Sequence, residues 1–226
     1  MSVTGMKSGM TAGGYVGCFL GLALSLPVMA IELEVQVLSA SGEPLENMVV
    51  YAVPLDDQQL PATDKVISVG QKGKSFAPYV SVSQAGNSVL FDNQDDITHH
   101  IYSVDSDARF SFKIKAGEKR LQNGLNQPGE VAMGCNIHDW MSGYLLLVDT
   151  PVFGKTSAAG TLSLETPEPG RYQVTVWHPQ LKADNNRESQ VVNLQADATV
   201  TARLVGGMDA APSQESDDDF DFLSDY

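Results

Sequence analysis

The chain has 226 residues, with 28 acidic against 14 basic side chains and a formal net charge of −14. This length is enough for one large or two small domains with true hydrophobic cores. Nucleic acid is not an expected partner, because binding a phosphate backbone needs a basic surface. Cationic proteins and metal ions remain compatible with so acidic a chain.

The first 30 residues predict an export signal. Lys7 is the only charged residue before Glu32, and the apolar run GGYVGCFLGLALSLP follows it. Residues 28–30, Val-Met-Ala, provide suitable side chains for cleavage. The apolar run is short and interrupted by glycines, which favours a cleaved signal over an uncleaved membrane span, and we expect no stable membrane insertion once the signal is removed. The sequence therefore predicts a periplasmic protein.

Removal of the signal leaves a single thiol. Of the two cysteines, Cys18 lies inside the apolar run and only Cys135 remains in the mature chain. Cysteines of exported proteins normally pair in an oxidising compartment, so one unpaired thiol needs an explanation. A buried inert thiol, an intermolecular disulfide and metal ligation are the three alternatives.

Beyond the signal the hydrophobic pattern has a period of two. The segment IELEVQVL starts at residue 31 and RFSFKIK at residue 109, and each places apolar side chains on one face. Further short β-rich runs follow, separated by clusters of Gly, Pro, Asn and Asp, and no stretch has a long helical period. Many short strands at this spacing predict an all-β protein built as a sandwich or barrel.

The segment MGCNIHDWM, residues 133–141, concentrates metal-binding side chains between two predicted strands. Copper in electron-transfer sites is held by two histidine nitrogens and a cysteine thiolate, with a weak axial thioether. Cys135, His138 and Met141 supply three of these four groups. Met133 alternates with Val131 on the preceding strand, so we expect it in the core.

The missing nitrogen is expected from FDNQDDITHHIYS, where His99 and His100 follow one predicted strand and precede Ile101. Adjacent residues of an extended segment point to opposite faces, so we do not expect both histidines to bind the same ion. Strand alternation alone leaves both as candidates.

The segments FAPYVSVSQAGNSVLFDNQDDITHHIYS and QPGEVAMGCNIHDWMSGYLLLVD resemble a cupredoxin of the plastocyanin/amicyanin type. They are more similar still to the bacterial plastocyanin-like proteins called methylamine utilization proteins. The resemblance implies a cupredoxin-like Greek-key β-sandwich over residues 63–151, binding one copper ion that cycles between Cu(I) and Cu(II). It places His100 where the family has Asn. The ligands that it implies are His99, Cys135, His138 and Met141.

Residues 31–62 and 152–205 resemble a β-sandwich of the transthyretin or carboxypeptidase-regulatory type. This resemblance predicts a discontinuous second sandwich with the copper domain inserted, and the rival interpretation is one enlarged sandwich. His178 is isolated from the other candidate ligands and is expected to be structural. Residues 206–226 form an acidic tail that we expect to be disordered and able to contact a cationic partner.

Together these features predict a one-electron carrier, not an enzyme, that exchanges electrons with a cytochrome or an oxidoreductase. The chain shows neither a nucleophile–base pair nor a second copper cluster. The alternative hypothesis is a copper-binding protein for delivery, sequestration or sensing, without a redox role.

Overall fold

The computed structural model describes residues 1, 2 and 5, residues 30–58 and residues 60–214. The predicted signal therefore lies almost wholly outside the described residues, as does the acidic end of the tail. Among the described residues, no helix has the length and apolar character needed to cross a membrane.

The described residues form sixteen β-strands and a single 3-10 turn at Asp184–Asn186. The predicted all-β class is thereby confirmed. The strands are β1 (Ile31–Leu38), β2 (Val49–Pro54), β3 (Val66–Gln71), β4 (Phe76–Ala77), β5 (Val80–Gln84), β6 (Ser88–Asn93), β7 (His99–Ser103), β8 (Phe110–Ile114), β9 (Lys119–Gln122), β10 (Gly129–Cys135), β11 (Ser142–Val148), β12 (Phe153–Lys155), β13 (Thr161–Thr166), β14 (Gly170–Trp177), β15 (Arg187–Leu194) and β16 (Ala198–Arg203).

Strands β3 to β11 build one sandwich, which we call the ligand sandwich. Its two sheets have the strand orders β4-β3-β6-β9 and β5-β11-β10-β7-β8. The chain crosses repeatedly between the sheets, so that β11 pairs with the distant β5 in parallel. Alternating side chains of both sheets fill one core, in which Phe91 contacts the rings of Phe110 and Phe112.

The remaining strands build a second sandwich, which we call the flanking sandwich. Its sheets have the orders β13-β1-β16 and β12-β2-β14-β15. Its strands come from residues 31–54 and 153–203, on either side of the ligand sandwich in the chain. The two stretches share one core, which includes the fully buried Leu33 of β1 and Tyr172 of β14.

The two sandwiches pack face to face through a third apolar cluster. Tyr51 and Trp177 of the flanking sandwich meet Val80, Leu146 and Val148 of the ligand sandwich. The four sheets therefore stack as successive layers. One face of the sheet that carries β10 and β11 is the core of the ligand sandwich, and part of its other face is covered.

Residues 206–214, which the sequence assigns to the start of a disordered tail, make defined contacts. Met208 forms a β-bridge with Leu181. The N–H of Asp209 donates to the carbonyl of Gln180 over 2.9 Å. Gln214 then hydrogen-bonds to the ligand sandwich at Ser75 and Ser142. The expectation of disorder stays a prediction for residues 215–226, which lie outside the described residues.

Candidate metal centre

Strand β7 separates the two candidate histidines. It pairs with β8, so that His99 lies opposite the buried Ile114 and His100 opposite the exposed Lys113. His99 has 0% exposure and points into the core, whereas His100 is half-buried on the outer face. The alternation of an extended chain thus brings His99, and not His100, to the other candidate ligands.

The turn between β10 and β11, which we call the ligand loop, spans residues 136–141. The N–H of Cys135 donates to the carbonyl of Met141 over 3.2 Å, and the N–H of Met141 donates to the carbonyl of His138 over 3.0 Å. These bonds close the loop at its base. Cys135, His138 and Met141 are all buried as a result.

Three ligand atoms converge at this end of the core. The Nδ1 atoms of His99 and His138 each lie 3.7 Å from the Sγ of Cys135. The three atoms lie within 4.8 Å of one another. Zinc binds imidazole nitrogen at about 2.0–2.1 Å and thiolate sulfur at about 2.3 Å, which at trigonal or tetrahedral angles separates N from S by roughly 3.6–3.8 Å. The observed separation therefore fits a metal ion shared by the three atoms.

The chemistry of the donors favours copper among the transition metals. One thiolate and two imidazoles form the trigonal set of blue-copper electron-transfer sites, which a weak axial thioether completes. Met141 is 1% exposed and is bonded through its backbone to Cys135 and His138. Met133 lies in the core of the ligand sandwich, as the alternation of β10 predicts.

Asp95 holds His99 from the side opposite the thiol. Its carboxylate lies 2.8 Å from His99 Nε2 and accepts the N–H groups of Gly73 and Lys74 over 2.6 and 3.0 Å. Burial alone would raise the pKa of Asp95, but these hydrogen bonds lower it below its usual value. An ionised carboxylate at Nε2 fixes the proton there and leaves Nδ1 free to bind a metal.

His100 ties the ligand loop to β7 from the outer face. Its Nδ1 lies 3.3 Å from the side-chain nitrogen of Asn136, and its carbonyl accepts the Asn136 N–H over 2.9 Å. Its Nε2 lies 2.8 Å from the hydroxyl of Ser111. His100 thus bonds to the residue that follows Cys135, at the position where the resemblance places an Asn.

The protonation of His138 also suits a ligand. Burial lowers the pKa of His138, and the neighbouring His99 and Lys74 lower it further. A neutral imidazole, the form that binds metals, is therefore favoured before any ion enters. The ring of Trp140 lies 5.3 Å from that of His138 and helps to cover it. His178 lies outside this group, and its Nδ1 accepts the N–H of Gln180 over 3.3 Å.

The sequence pattern did not identify Asp95 as a partner of the centre. The local signal is an aspartate four residues before a candidate ligand. Its other partners, at residues 73 and 74, come from the distant turn after β3, which no local pattern connects to it.

No family model matches the chain, and no curated protein matches it. Among solved structures, the chain is similar to a purple cupredoxin from Nitrosopumilus maritimus, with 18% identity, a TM-score of 0.33, and coverage of 36% of this chain and 99% of the other. It is similar to a reduced amicyanin mutant with 15% identity, a TM-score of 0.34, and coverage of 43% and 99%. It is also similar to a copper-containing nitrite reductase from Thermus scotoductus SA-01 with 24% identity and a TM-score of 0.35. That match covers 42% of this chain and only 25% of the reductase chain.

Proposed function

We propose that this protein is a mononuclear copper protein that carries single electrons. The observation that supports it best is the convergence of His99, Cys135 and His138, with their ligand atoms within 4.8 Å of one another. Met141 is the proposed axial ligand. Bound copper would supply a Cu(II)/Cu(I) couple at this position.

The protein's own residues support this role by holding the donors still. Asp95 orients His99, two backbone hydrogen bonds close the ligand loop, and His100 fixes Asn136 from outside. A donor set that cannot rearrange keeps nearly the same geometry in both oxidation states. A small rearrangement favours rapid electron transfer, whereas delivery of the metal would favour a site that opens.

The ligand loop also offers a surface for a redox partner. Ile137, in the middle of the loop, has an apolar side chain that is 50% exposed. The half-buried Trp140 belongs to the same loop, and its ring contacts that of His138. We propose that a cytochrome or an oxidoreductase docks here. A partner that packs against apolar side chains next to a ligand would lie close to the metal. On the same proposal the protein is exported to the periplasm and catalyses no reaction.

The chain order of the strands supports the proposed domain organisation. The ligand sandwich occupies a continuous stretch, and the flanking sandwich is assembled from the stretches before and after it. We propose that residues 63–151 are a copper domain inserted into a domain formed by residues 31–62 and 152–205.

Addition of Cu(II) to the purified mature protein tests the function. We expect an intense visible thiolate-to-copper absorption band that a reductant bleaches and an oxidant restores. Cys135→Ser should abolish the band. If the protein binds Cu(I) tightly but shows no accessible potential and only transfers the ion to chelators, the delivery hypothesis replaces the carrier.

The matched pair His99→Ala and His100→Ala tests the ligand assignment. His99→Ala removes a nitrogen that lies 3.7 Å from the thiol, so the visible band should be lost. His100→Ala removes the outer side-chain hydrogen bonds to Asn136 and Ser111 but no candidate ligand, so the band should remain, with a shifted maximum. Loss of the band in His100→Ala alone would reverse the assignment.

A further inference from the structure

The backbone N–H of Ser142, at the start of β11, has no strand partner among the described residues. The N–H of Tyr144, two residues further along β11, donates to the carbonyl of Tyr79 over 2.8 Å. N–H groups two residues apart point to the same edge of a strand, so the N–H of Ser142 points to this edge as well. Strand β5, which pairs at this edge, begins at Val80 opposite Tyr144 and does not extend to Ser142. The N–H of Ser142 therefore needs an acceptor from elsewhere.

The side chain of Gln214 supplies this acceptor. Its oxygen accepts the N–H of Ser142 over 3.3 Å, and its nitrogen donates to the Ser142 hydroxyl over 3.2 Å. Ser142 directly follows Met141, the proposed axial ligand, whose backbone also closes the ligand loop. The two bonds from Gln214 thus hold the end of the loop that positions the thioether.

The backbone of Gln214 contacts a second part of the metal site. Its carbonyl accepts the hydroxyl of Ser75 over 2.9 Å. The same hydroxyl lies 3.4 Å from a carbonyl within its own turn, which is the longer alternative. Ser75 belongs to the turn at residues 72–75, whose backbone N–H groups hold the carboxylate of Asp95. Because Asp95 orients His99, Gln214 contacts both segments that place a candidate ligand from this side.

Residues 206–214, which we call the strap, connect these contacts to the flanking sandwich. The N–H of Asp209 donates to the carbonyl of Gln180 over 2.9 Å, and the N–H of Lys182 donates to the carbonyl of Gly207 over 2.8 Å. These bonds anchor the first half of the strap. The strap therefore links the flanking sandwich to both the ligand loop and the turn that holds the carboxylate.

We propose that Gln214 is a positioning residue of the metal centre, which holds the ligand loop against the turn at residues 72–75, so that the flanking sandwich completes the site through the strap. In a site of this kind the axial thioether forms the weakest of the four bonds to copper, and it tunes the reduction potential. Release of Ser142 should therefore affect Met141 before the other ligands. This effect on copper rests on the proposed function, whereas the contact itself does not.

The contact can be tested in the metal-free protein by amide hydrogen exchange followed by NMR. In Gln214→Ala the amide of Ser142 should exchange about twofold to tenfold faster, as expected for the loss of one hydrogen bond. The amide of Tyr144, which keeps its bond to Tyr79, should not change. Gln195→Ala is the control, because it removes the same side chain from an exposed position between β15 and β16. Unchanged exchange at Ser142, or equal acceleration at Ser142 and Tyr144, would overturn the proposal.

The variant Gln214→Glu separates a specific bond from the bulk of the side chain. Its carboxylate has the shape of the amide and can accept both the N–H and the hydroxyl proton of Ser142. Slow exchange at Ser142 should therefore be retained. If Gln214→Glu exchanges as fast as Gln214→Ala, the assigned bonds to Ser142 are wrong.

The link between the two segments has its own test. Ser75→Ala removes the hydroxyl that donates to the carbonyl of Gln214, so the exchange of Ser142 should also accelerate, although less than in Gln214→Ala. Ser88→Ala is the control, since it removes a hydroxyl that bonds to Asn123 at the opposite end of the ligand sandwich. An effect of Ser75→Ala that is confined to its own turn would contradict the coupling of the turn to the ligand loop.

With copper bound, the same variants test the consequence for the metal. Gln214→Ala should keep the thiolate-to-copper band but shift the reduction potential and the electron paramagnetic resonance spectrum, because the axial thioether is held less firmly. Gln195→Ala should change neither. Faster exchange at Ser142 without any change in potential or spectrum would make Gln214 a structural contact only and would overturn its positioning role. If even the unmodified protein shows no copper band, the proposed function fails, while the exchange data still decide the contact.

Discussion

The carboxylate of Asp95 accepts hydrogen bonds from two backbone N–H groups and from the ring of His99. It connects His99 to the turn at residues 72–75, and with three partners it is held in one orientation. A ligand that is oriented in this way binds its metal in one geometry. Asp95 is therefore a positioning residue of the proposed copper site.

Asp95→Asn should weaken metal affinity by about tenfold to a hundredfold, because the amide matches the carboxylate in shape but offers one oxygen to three donors. Asp96→Asn is the control, since it removes the same charge from the adjacent, exposed position. Competition with a Cu(I) chelator measures both affinities. Equal losses in the two variants would show that net charge, and not orientation, is responsible.

Protonation of His178 should lower the stability of the folded protein in mild acid. Burial, and secondly the charge of Lys155, lower its pKa to about 4 from the ordinary 6.5. Between these two pKa values the unfolded chain binds a proton that the folded chain excludes, so stability falls as the pH drops from 6.5 towards 4. After discounting for the partial exposure of the ring, the loss is about 2 kcal/mol.

The variant His178→Asn isolates this effect, since its amide oxygen can accept the Gln180 N–H in place of Nδ1. Urea unfolding at a series of pH values should show a shallower loss of stability in the variant between pH 6.5 and 4. Parallel curves for the variant and the unmodified protein would contradict the low pKa of His178.

At the scale of single elements, the sequence predicts the strands that carry the site better than the contacts between them. The alternation of β7 correctly separates His99 from His100, and that of β8 places Phe110 and Phe112 in the core. Alternation does not tell which face of the strand is buried, however, and in the sequence only the resemblance identifies His99 as the inward histidine. The contact of Asp95 with the turn at residues 72–75 depends on the parallel pairing of β3 with β6, which brings together residues 22 positions apart.

At two glycines of the ligand sandwich a neighbouring aromatic side chain lies close to the backbone. Adding a methyl group should destabilise the protein by different amounts at the two positions. A Cβ at Gly143, on β11, would lie 2.9 Å from the Cβ of the buried Phe76. A Cβ at Gly134, on β10, would lie 2.8 Å from the tip of the Tyr102 ring, which is only half-buried. The first neighbour cannot move without displacing the core, whereas the second can swing towards solvent.

Gly143→Ala should therefore destabilise the protein by about 1–3 kcal/mol, the usual cost of overpacking a core. Gly134→Ala introduces the same methyl group one strand away and should cost clearly less. Chemical denaturation of both variants measures the difference. If Gly134→Ala is the more damaging, the ring of Tyr102 is held more firmly than its exposure suggests.

At the scale of the whole molecule, the two sandwiches are joined by an apolar contact and by partly buried hydrogen bonds, among them those of Lys155 to Val80 and of Gln180 to Tyr79. Trp177 is 0% exposed and packs in the cluster that also contains Val80, Leu146 and Val148. Beside this cluster, the ammonium group of Lys155 donates to the carbonyl of Val80 over 2.9 Å. Side chains from both sandwiches are buried in the same cluster, so neither sandwich can unfold without exposing apolar surface of the other.

We therefore expect one cooperative unfolding transition, with the copper band and the far-ultraviolet circular dichroism lost at the same temperature. Trp177→Ala removes the largest side chain of the contact and should cost about 3–5 kcal/mol. It should also separate the loss of the copper band from the loss of the circular dichroism, because the band reports only the ligand sandwich. Trp140→Ala is the control, because that ring contacts His138 and should alter the band without separating the transitions. Coincident transitions in Trp177→Ala would mean that the sandwiches are coupled by contacts other than this cluster, of which the Lys155 bond is the first to test.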